Sequence, residues 1–258
     1  MKQRPSFPAQ LKPGPKSTAS AAAPRMAAAA PLVPSQGVGM DSSAVRARMV
    51  QVIAAQGVRD PLVLSAMGSI ERHRFVDTAL ANQAYEDTSL PIGLGQTISK
   101  PGVVARMLEL LRNGASGKLG RVLEIGTGCG YQAAVLSLLA DEVHSIERLR
   151  GLHDKARENV RHLRLRNLHL LFGDGMQGYA KGAPYAAIIA AAGGEAIPQA
   201  WIDQLAQGGR LVAPVVTANP AGRGASTQAL MVLDKTAQGV RQTVLEAVHF
   251  VPLKSGLA

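Results

Sequence analysis

Three carboxylates, three alternating glycines and one serine have types and spacings that can do chemistry: Glu124, Glu147 and Asp174; Gly126, Gly128 and Gly130; and Ser99. The glycines end the run Arg121-Val122-Leu123-Glu124-Ile125-Gly126-Thr127-Gly128-Cys129-Gly130-Tyr131. Val122 to Ile125 reads as a short buried strand, and Ala133 to Leu139 as an apolar helical run beyond the turn. Strand, glycine turn and helix is the layout in which backbone N–H groups and a helix N-terminus face a bound ligand. Without a Cβ the backbone can approach that ligand closely and can take positive φ.

The spacing E-x-G-x-G-x-G departs from the G-x-G-x-x-G of dinucleotide sites. A pyrophosphate would be repelled by Glu124, so a nicotinamide-dependent oxidoreductase is disfavoured. A ligand with a cationic centre tolerates that carboxylate. S-adenosylmethionine, with a sulfonium, an ammonium and one carboxylate, is such a ligand. A glycine turn alone can also be purely structural.

Glu147 closes the next apolar strand, Glu142 to Ile146, about twenty residues beyond the first glycine, where a carboxylate typically accepts hydrogen bonds from ribose hydroxyls. Leu168 to Phe172 reads as a third strand, ending in Gly173-Asp174-Gly175, where Asp174 can hold an adenine amino group. Taken singly, Glu147 reads equally as a solvated charge and Asp174 as an ordinary Asp-Gly turn. Taken together, all three acids fall at carboxyl ends of strands, where open α/β sheets bind ligands.

The elements that must position these groups follow from pattern. Residues 1–40 are rich in Pro, Ala, Ser and Gly and have too few large apolar groups to offset ordering entropy, so a disordered basic tail is expected there. Met26 to Val33, mostly alanine and broken by Pro31, does not supply the apolar core of a signal peptide. Residues 41–258 read as a single domain: 41–118 with N-terminal helices and a substrate loop, 119–258 with the core sheet and C-terminal strands.

Asp41 to Gln56 and Pro61 to Ile70 read as helices, and His73 to Asn82 as a short helix or turn. Tyr85 to Pro101 lacks periodicity and reads as a functional loop. Pro101 then opens a helix through Leu111, which puts Ser99 at or near a helix N-terminus, a place that favours anions or a simple N-cap. Tyr185 to Ala191 gives a fourth strand, Ile197 to Leu205 a helix, and Arg210 to Val216 a fifth strand after the Gly208-Gly209 break. Asn219 to Ser226 reads as a polar loop between this strand and an antiparallel pair, Gln228 to Asp234 and Gln242 to Val251.

Composition removes other classes. The net charge of +10 is half owed to the tail, whose Lys2, Arg4, Lys12, Lys16 and Arg25 face no acidic residue. The remainder has few aromatics for base stacking and no nucleic-acid motif. No apolar run reaches the roughly 18 residues of a membrane span. The single cysteine, Cys129, excludes an internal disulfide, and the six histidines show no metal-ligand spacing, so no metal is expected.

Two combined motifs carry a closer likeness. Gly95-Gln96-Thr97-Ile98-Ser99-x-Pro101 followed by Val122-Leu123-Glu124-Ile125-Gly126-Thr127-Gly128-x-Gly130-Tyr131-Gln132-Ala133 resembles the protein-L-isoaspartate O-methyltransferases. Gly173-Asp174-Gly175, Gly208-Gly209-Arg210-Leu211-Val212-x-Pro214-Val215 and Phe250-Val251-Pro252-Leu253 extend the resemblance over roughly Val45 to Leu253. The glycine motif is shared by many methyltransferases; the serine loop together with F-V-P-L is far more specific.

The resemblance implies a Rossmann-like α/β methyltransferase fold: a mostly parallel sheet flanked by helices, with an antiparallel C-terminal strand pair. It implies methyl transfer from S-adenosylmethionine to the free α-carboxylate of L-isoaspartyl residues in damaged proteins and peptides. It assigns Ser99 as the active-site serine, with Gln96, Thr97 and Ile98 binding substrate. It assigns Glu124, Gly126, Gly128, Gly130, Glu147, Asp174 and Gly175 to the cofactor. A cytoplasmic monomer is expected, with no nucleic-acid or membrane partner. Two departures stand out: Ala186 where relatives often carry Asp, expected to loosen a hydrogen bond near the cofactor end of the sheet, and Cys129 where they often carry Ser. Remaining alternatives are a methyltransferase for another carboxylate or small molecule, and a non-catalytic basic binding protein.

Overall fold

A computed structural model describes residues 43–217 and 227–258. The basic tail at 1–40 and the loop at Asn219 to Ser226 lie outside the described residues.

The chain opens with helix α1 (Ser43–Ala55) and helix α2 (Pro61–Ser69). Asp60 starts α2 as its sequence suggests: its Oδ1 accepts the N–H groups of Leu62 and Val63 at 2.9 and 3.2 Å. Its Oδ2 also accepts from Arg112 Nε at 2.7 Å, so the cap residue ties two helices together. The short helix or turn expected over His73 to Asn82 is a pair of 3-10 turns, Arg72–Phe75 and Thr78–Gln83.

The stretch expected as a structureless loop contains a β-hairpin, β1 (Leu90–Gly93) and β2 (Gln96–Ile98). Leu94 and Gly95 form its two-residue turn, both at positive φ (52° and 70°), the geometry that suits the twist of hairpin strands. Leucine at a positive-φ position hides this turn from sequence. Helix α3 (Pro101–Arg112) follows immediately.

The central sheet then alternates with helices: β3 (Leu119–Ile125), α4 (Tyr131–Leu139), β4 (Ala140–Glu147), α5 (Arg150–Val160), β5 (Leu168–Phe172), β6 (Tyr185–Ala190), α6 (Gln199–Gln204), β7 (Leu205–Thr217), β8 (Thr227–Thr236) and β9 (Gly239–Val248). Strand order is β5-β4-β3-β6-β7-β8-β9. The first five are parallel, and β8 and β9 join antiparallel, which is the architecture expected from the sequence. Alternate residues of β3 enter different cores: Val122 joins the layer containing α1 to α4, whereas Leu123 and Ile125 join the layer of Trp201 and Tyr185. Burial on both faces is why these strands read as continuous apolar runs.

Three boundaries differ from the sequence reading. Helix α5 escaped notice because its charged residues mask the buried face of Leu152, His153 and Ala156. Gly208-Gly209 does not end an element. It lies in a bulge inside β7, where Leu205 pairs with Tyr185 but the next pair is Arg210 with Ala187, and Gly208 takes φ +78°. Strand β9 stops at Val248, and its successors leave the sheet edge. Most residues of β9 are exposed.

Ala186 sits near the start of β6, beside Gly120, at the end of the sheet opposite the glycine loop. The expected loosening near the cofactor end is therefore not supported by its position.

Candidate active site

The carboxyl ends of β3 and β4 stop where the chain must turn toward α4 and α5. The turn after β3 is glycine-built for a physical reason. Gly126, Gly128 and Gly130 have φ of +89°, +57° and +90°, which side-chain-bearing residues rarely adopt. Gly126 and Gly128 line an open cavity, together with residues of the strand ends and of the hairpin before α3. Gly130 does not line it. It precedes α4, and a Cβ there would lie 3.3 Å from Ala156 Cβ, so this glycine lets α5 pack against the turn.

Glu147 lines the same cavity and is 5% exposed. Its Oε2 accepts the Gly128 N–H at 2.9 Å and its Oε1 the Leu149 N–H at 3.0 Å. Glu124 lies beneath the turn, fully buried and outside the cavity lining. Ser145 Oγ donates to its Oε2 and also shares a 2.6 Å hydrogen bond with Thr127 Oγ1. Its Oε1 is buried without a hydrogen-bond partner. Burial pushes the Glu124 carboxyl up to about 8, the nearby Glu147 charge adds to the rise, and the Ser145 hydrogen bond opposes it. The sequence reading placed Glu124 against the ligand; in the structure it lies outside the cavity lining, its side chain turned into the core.

Asp174 differs in the same way. Its Oδ1 accepts from Met176 N–H at 2.9 Å and its Oδ2 from Gly256 N–H at 2.7 Å, and it caps a short 3-10 turn rather than lining the cavity. Gly175 does line it, and a Cβ there would come 2.6 Å from Ile125 Cγ2.

The opposite wall is the β1–β2 hairpin. Gln96, Thr97, Ile98 and Ser99 all line the cavity. Lys100, not Ser99, is the N-cap of α3, and Asp87 Oδ1 accepts the Gly102 N–H at 2.8 Å, so Ser99 is free of the capping role. Arg72, 0% exposed, supports this segment: its Nη2 donates to Ser99 O at 2.8 Å and its Nε to Ala84 O at 2.7 Å. Sequence reasoning missed Arg72, since a lone arginine in a helical turn carries no signal of burial.

It also missed the role of the F-V-P-L segment as a wall. Val251, Pro252 and Leu253 line the cavity with Lys254. Gly193 N–H donates to Val251 O and Leu253 N–H to Gly193 O, both at 2.8 Å. Gln228 brackets Phe250, accepting its N–H at 2.7 Å and donating to its O at 3.2 Å. The residues beyond run back over the rim: Arg148 Nε donates to Gly256 O at 2.8 Å, and Ala258 N–H to Arg148 O at 3.0 Å.

The cavity thus joins a glycine loop with an acid at its edge to a hairpin bearing a hydroxyl. Its lining fits S-adenosylmethionine: Gly126 and Gly128 have no Cβ to block approach, and Glu147 supplies acceptor oxygens. Among the described residues no helix is long and apolar enough to cross a membrane.

The profile of the family Protein-L-isoaspartate(D-aspartate) O-methyltransferase (PCMT) matches residues 44–258. A protein-L-isoaspartate O-methyltransferase of Methylibium petroleiphilum is 62% identical over 222 residues, covering 85% of this chain and 81% of that one. One from Leptothrix cholodnii is 61% identical over 222 residues, covering 85% and 77%. A solved protein-L-isoaspartate O-methyltransferase superposes with a TM-score of 0.70 at 27% identity, covering 82% of this chain and 67% of that chain. A Plasmodium falciparum structure in complex with S-adenosyl-L-homocysteine shares the fold at a TM-score of 0.68 and 23% identity, covering 81% and 98%.

Proposed function

The chain belongs to the protein-L-isoaspartate(D-aspartate) O-methyltransferase family, and from that membership we infer its reaction and the residues that perform it. The enzyme transfers the methyl group of S-adenosylmethionine to the free α-carboxylate of L-isoaspartyl residues in damaged proteins and peptides, the first step of their repair. The cofactor, when bound, supplies the electrophilic methyl group. The observation that carries the site assignment is one cavity walled by Gly126, Gly128 and Glu147 on one side and by Gln96 to Ser99 on the other.

The acceptor carboxylate is already ionised at neutral pH, with a reference pKa near 3.5 to 4. No general base has to be recruited. The protein's task is to orient that carboxylate in line with the methyl group and to exclude water, which can remove several kcal/mol from the barrier. We assign Ser99 Oγ–H as a donor to the carboxylate, with Gln96, Thr97 and Ile98 guiding the peptide beside it. Glu147 has acceptor capacity for ribose hydroxyls beyond its two backbone bonds. Glu124, through Ser145 and Thr127, holds the shape of the glycine loop. Asp174 acts on the adenine side by fixing Gly175 and the chain near Gly256. A monomer working in the cytoplasm, without nucleic-acid or membrane partners, is part of the same reading.

The test is transfer of labelled methyl from S-adenosylmethionine to an isoaspartyl peptide beside its normal aspartyl twin. Labelling of the isoaspartyl peptide alone is the expected result. Labelling of both, or of neither while the cofactor binds, overturns the substrate assignment.

A further inference from the structure

We propose that Glu142, His144 and His169, at the end of the sheet remote from the active site, form a binding site for a divalent transition-metal ion such as Zn²⁺. The histidines are remote in sequence, so no ligand spacing reveals them. The register of the sheet brings them together. Arg121 is the cross-strand partner of Glu142, and His144 that of His169, in adjacent parallel strands. Glu142 and His144 are two residues apart on β4 and so share one face.

The ligand atoms have coordinating distances. Glu142 Oε1 lies 3.4 Å from His169 Nε2 and 3.8 Å from His144 Nε2, and the three lie within 4.8 Å of one another. A tetrahedral ion with bonds of about 2.1 Å sets its ligand atoms about 3.4 Å apart, so small side-chain shifts complete the site. Two imidazoles and one carboxylate suit zinc, nickel, cobalt or copper better than calcium or magnesium. The fourth position faces solvent beside His169, whose side chain is 46% exposed.

The surroundings orient these ligands. Arg121 Nε donates to Glu142 Oε2 at 2.5 Å and its Nη1 to Gly182 O at 2.9 Å. That holds the carboxylate by one oxygen and leaves the other facing both rings, the arrangement by which outer groups fix metal ligands. The two imidazole rings stack at 5.0 Å, and Tyr179 packs 5.3 Å from His144. His144 is buried at the start of this cluster, and its Nε2 lies 3.8 Å from Glu142 Oε1.

The ion would tie the edge strand β5 to β4. Glu142 and Glu147 are five residues apart on one strand, roughly 16 Å. The ion therefore stands away from the reacting groups.

The experiment uses the full chain without a polyhistidine tag. Zn²⁺ is titrated against a chromophoric chelator, and Co²⁺ is used as a spectroscopic probe. One equivalent of Zn²⁺ should bind, with tetrahedral Co²⁺ absorption bands. His169→Ala, at an exposed position, should weaken Zn²⁺ binding at least tenfold and abolish the bands, whereas His162→Ala should change neither. Methyl transfer by metal-free His169→Ala should match the metal-free parent. Zn²⁺ affinity unchanged in His169→Ala, or no stoichiometric binding to the parent chain, overturns the proposal.

Discussion

Glu147 Oε2 accepts the backbone N–H of Gly128 at 2.9 Å, so the acid at the edge of the cavity proposed for the cofactor also fixes the glycine loop. Removing the carboxylate strips the cavity of an acceptor and frees the loop at once. Glu147→Ala should raise the S-adenosylmethionine dissociation constant at least tenfold, about 1.4 kcal/mol or more, a size consistent with loss of charge-assisted hydrogen bonds. Isothermal titration measures it; an unchanged constant removes Glu147 from cofactor binding.

Ser99 lines the cavity without capping the helix that follows. Ser99→Ala should therefore spare helix α3 and cofactor affinity while raising KM for an isoaspartyl peptide or lowering kcat. The loss of one hydrogen bond to a charged group corresponds to about 1.5–3 kcal/mol, or roughly ten- to a hundredfold in kcat/KM. Equal weakening of cofactor binding in a titration would contradict the assignment.

Arg72 reaches the same serine from behind, donating to its carbonyl oxygen at 2.8 Å from a fully buried site. Arg72→Met leaves the carbonyls of Ala84 and Ser99 without this donor, at about 1–3 kcal/mol each. The melting temperature should fall, and KM for the peptide should rise more than the cofactor dissociation constant. Arg72→Lys should restore part of the KM loss. Hydrogen exchange at residues 96–100 should speed up in the Met variant; unchanged exchange there would refute the positioning role.

Glu124 supplies a pH signature. Its folded carboxyl holds a proton up to about 8 against an ordinary 4.5, so the folded state binds more protons between those values. Stability from this group is complete below about pH 4.5 and is lost as pH rises through about 8. Glu124→Gln, which mimics the protonated form, should flatten the decline in stability over that window. Urea unfolding at pH 5 and pH 8.5 reads the difference, and parallel slopes for both proteins would contradict it.

The alternation of apolar strands with helices made the sheet legible, because burial on both faces leaves continuous runs such as Val122 to Ile125. The glycine loop and Glu147 were legible because their spacing follows from the turn they must make. What stayed hidden depended on side-chain direction. Glu124 and Asp174 have suitable types and positions along the chain, yet one points into the core and the other into its own turn. The hairpin before Ser99 was concealed by Leu94, which takes a φ of +52° that leucine rarely adopts. Arg72 and the wall built by Val251 to Leu253 arise from long-range packing, which no local pattern records.

The exposed last strand has a consequence for concentrated solutions. Among the described residues strand β9 ends the sheet and no further strand pairs its outer main-chain groups, a common seed of self-association. Its charges are anchored inward: Arg241 to Asp234 at 3.0 Å and Glu246 to Arg106 at 2.9 Å. These ion pairs hold charge at the rim and make strand addition costly. Replacing Arg241 and Glu246 together by Thr should leave catalysis intact yet make light scattering rise with protein concentration. The enzyme's colloidal behaviour, unlike its chemistry, would then rest on two residues that do not line the cavity.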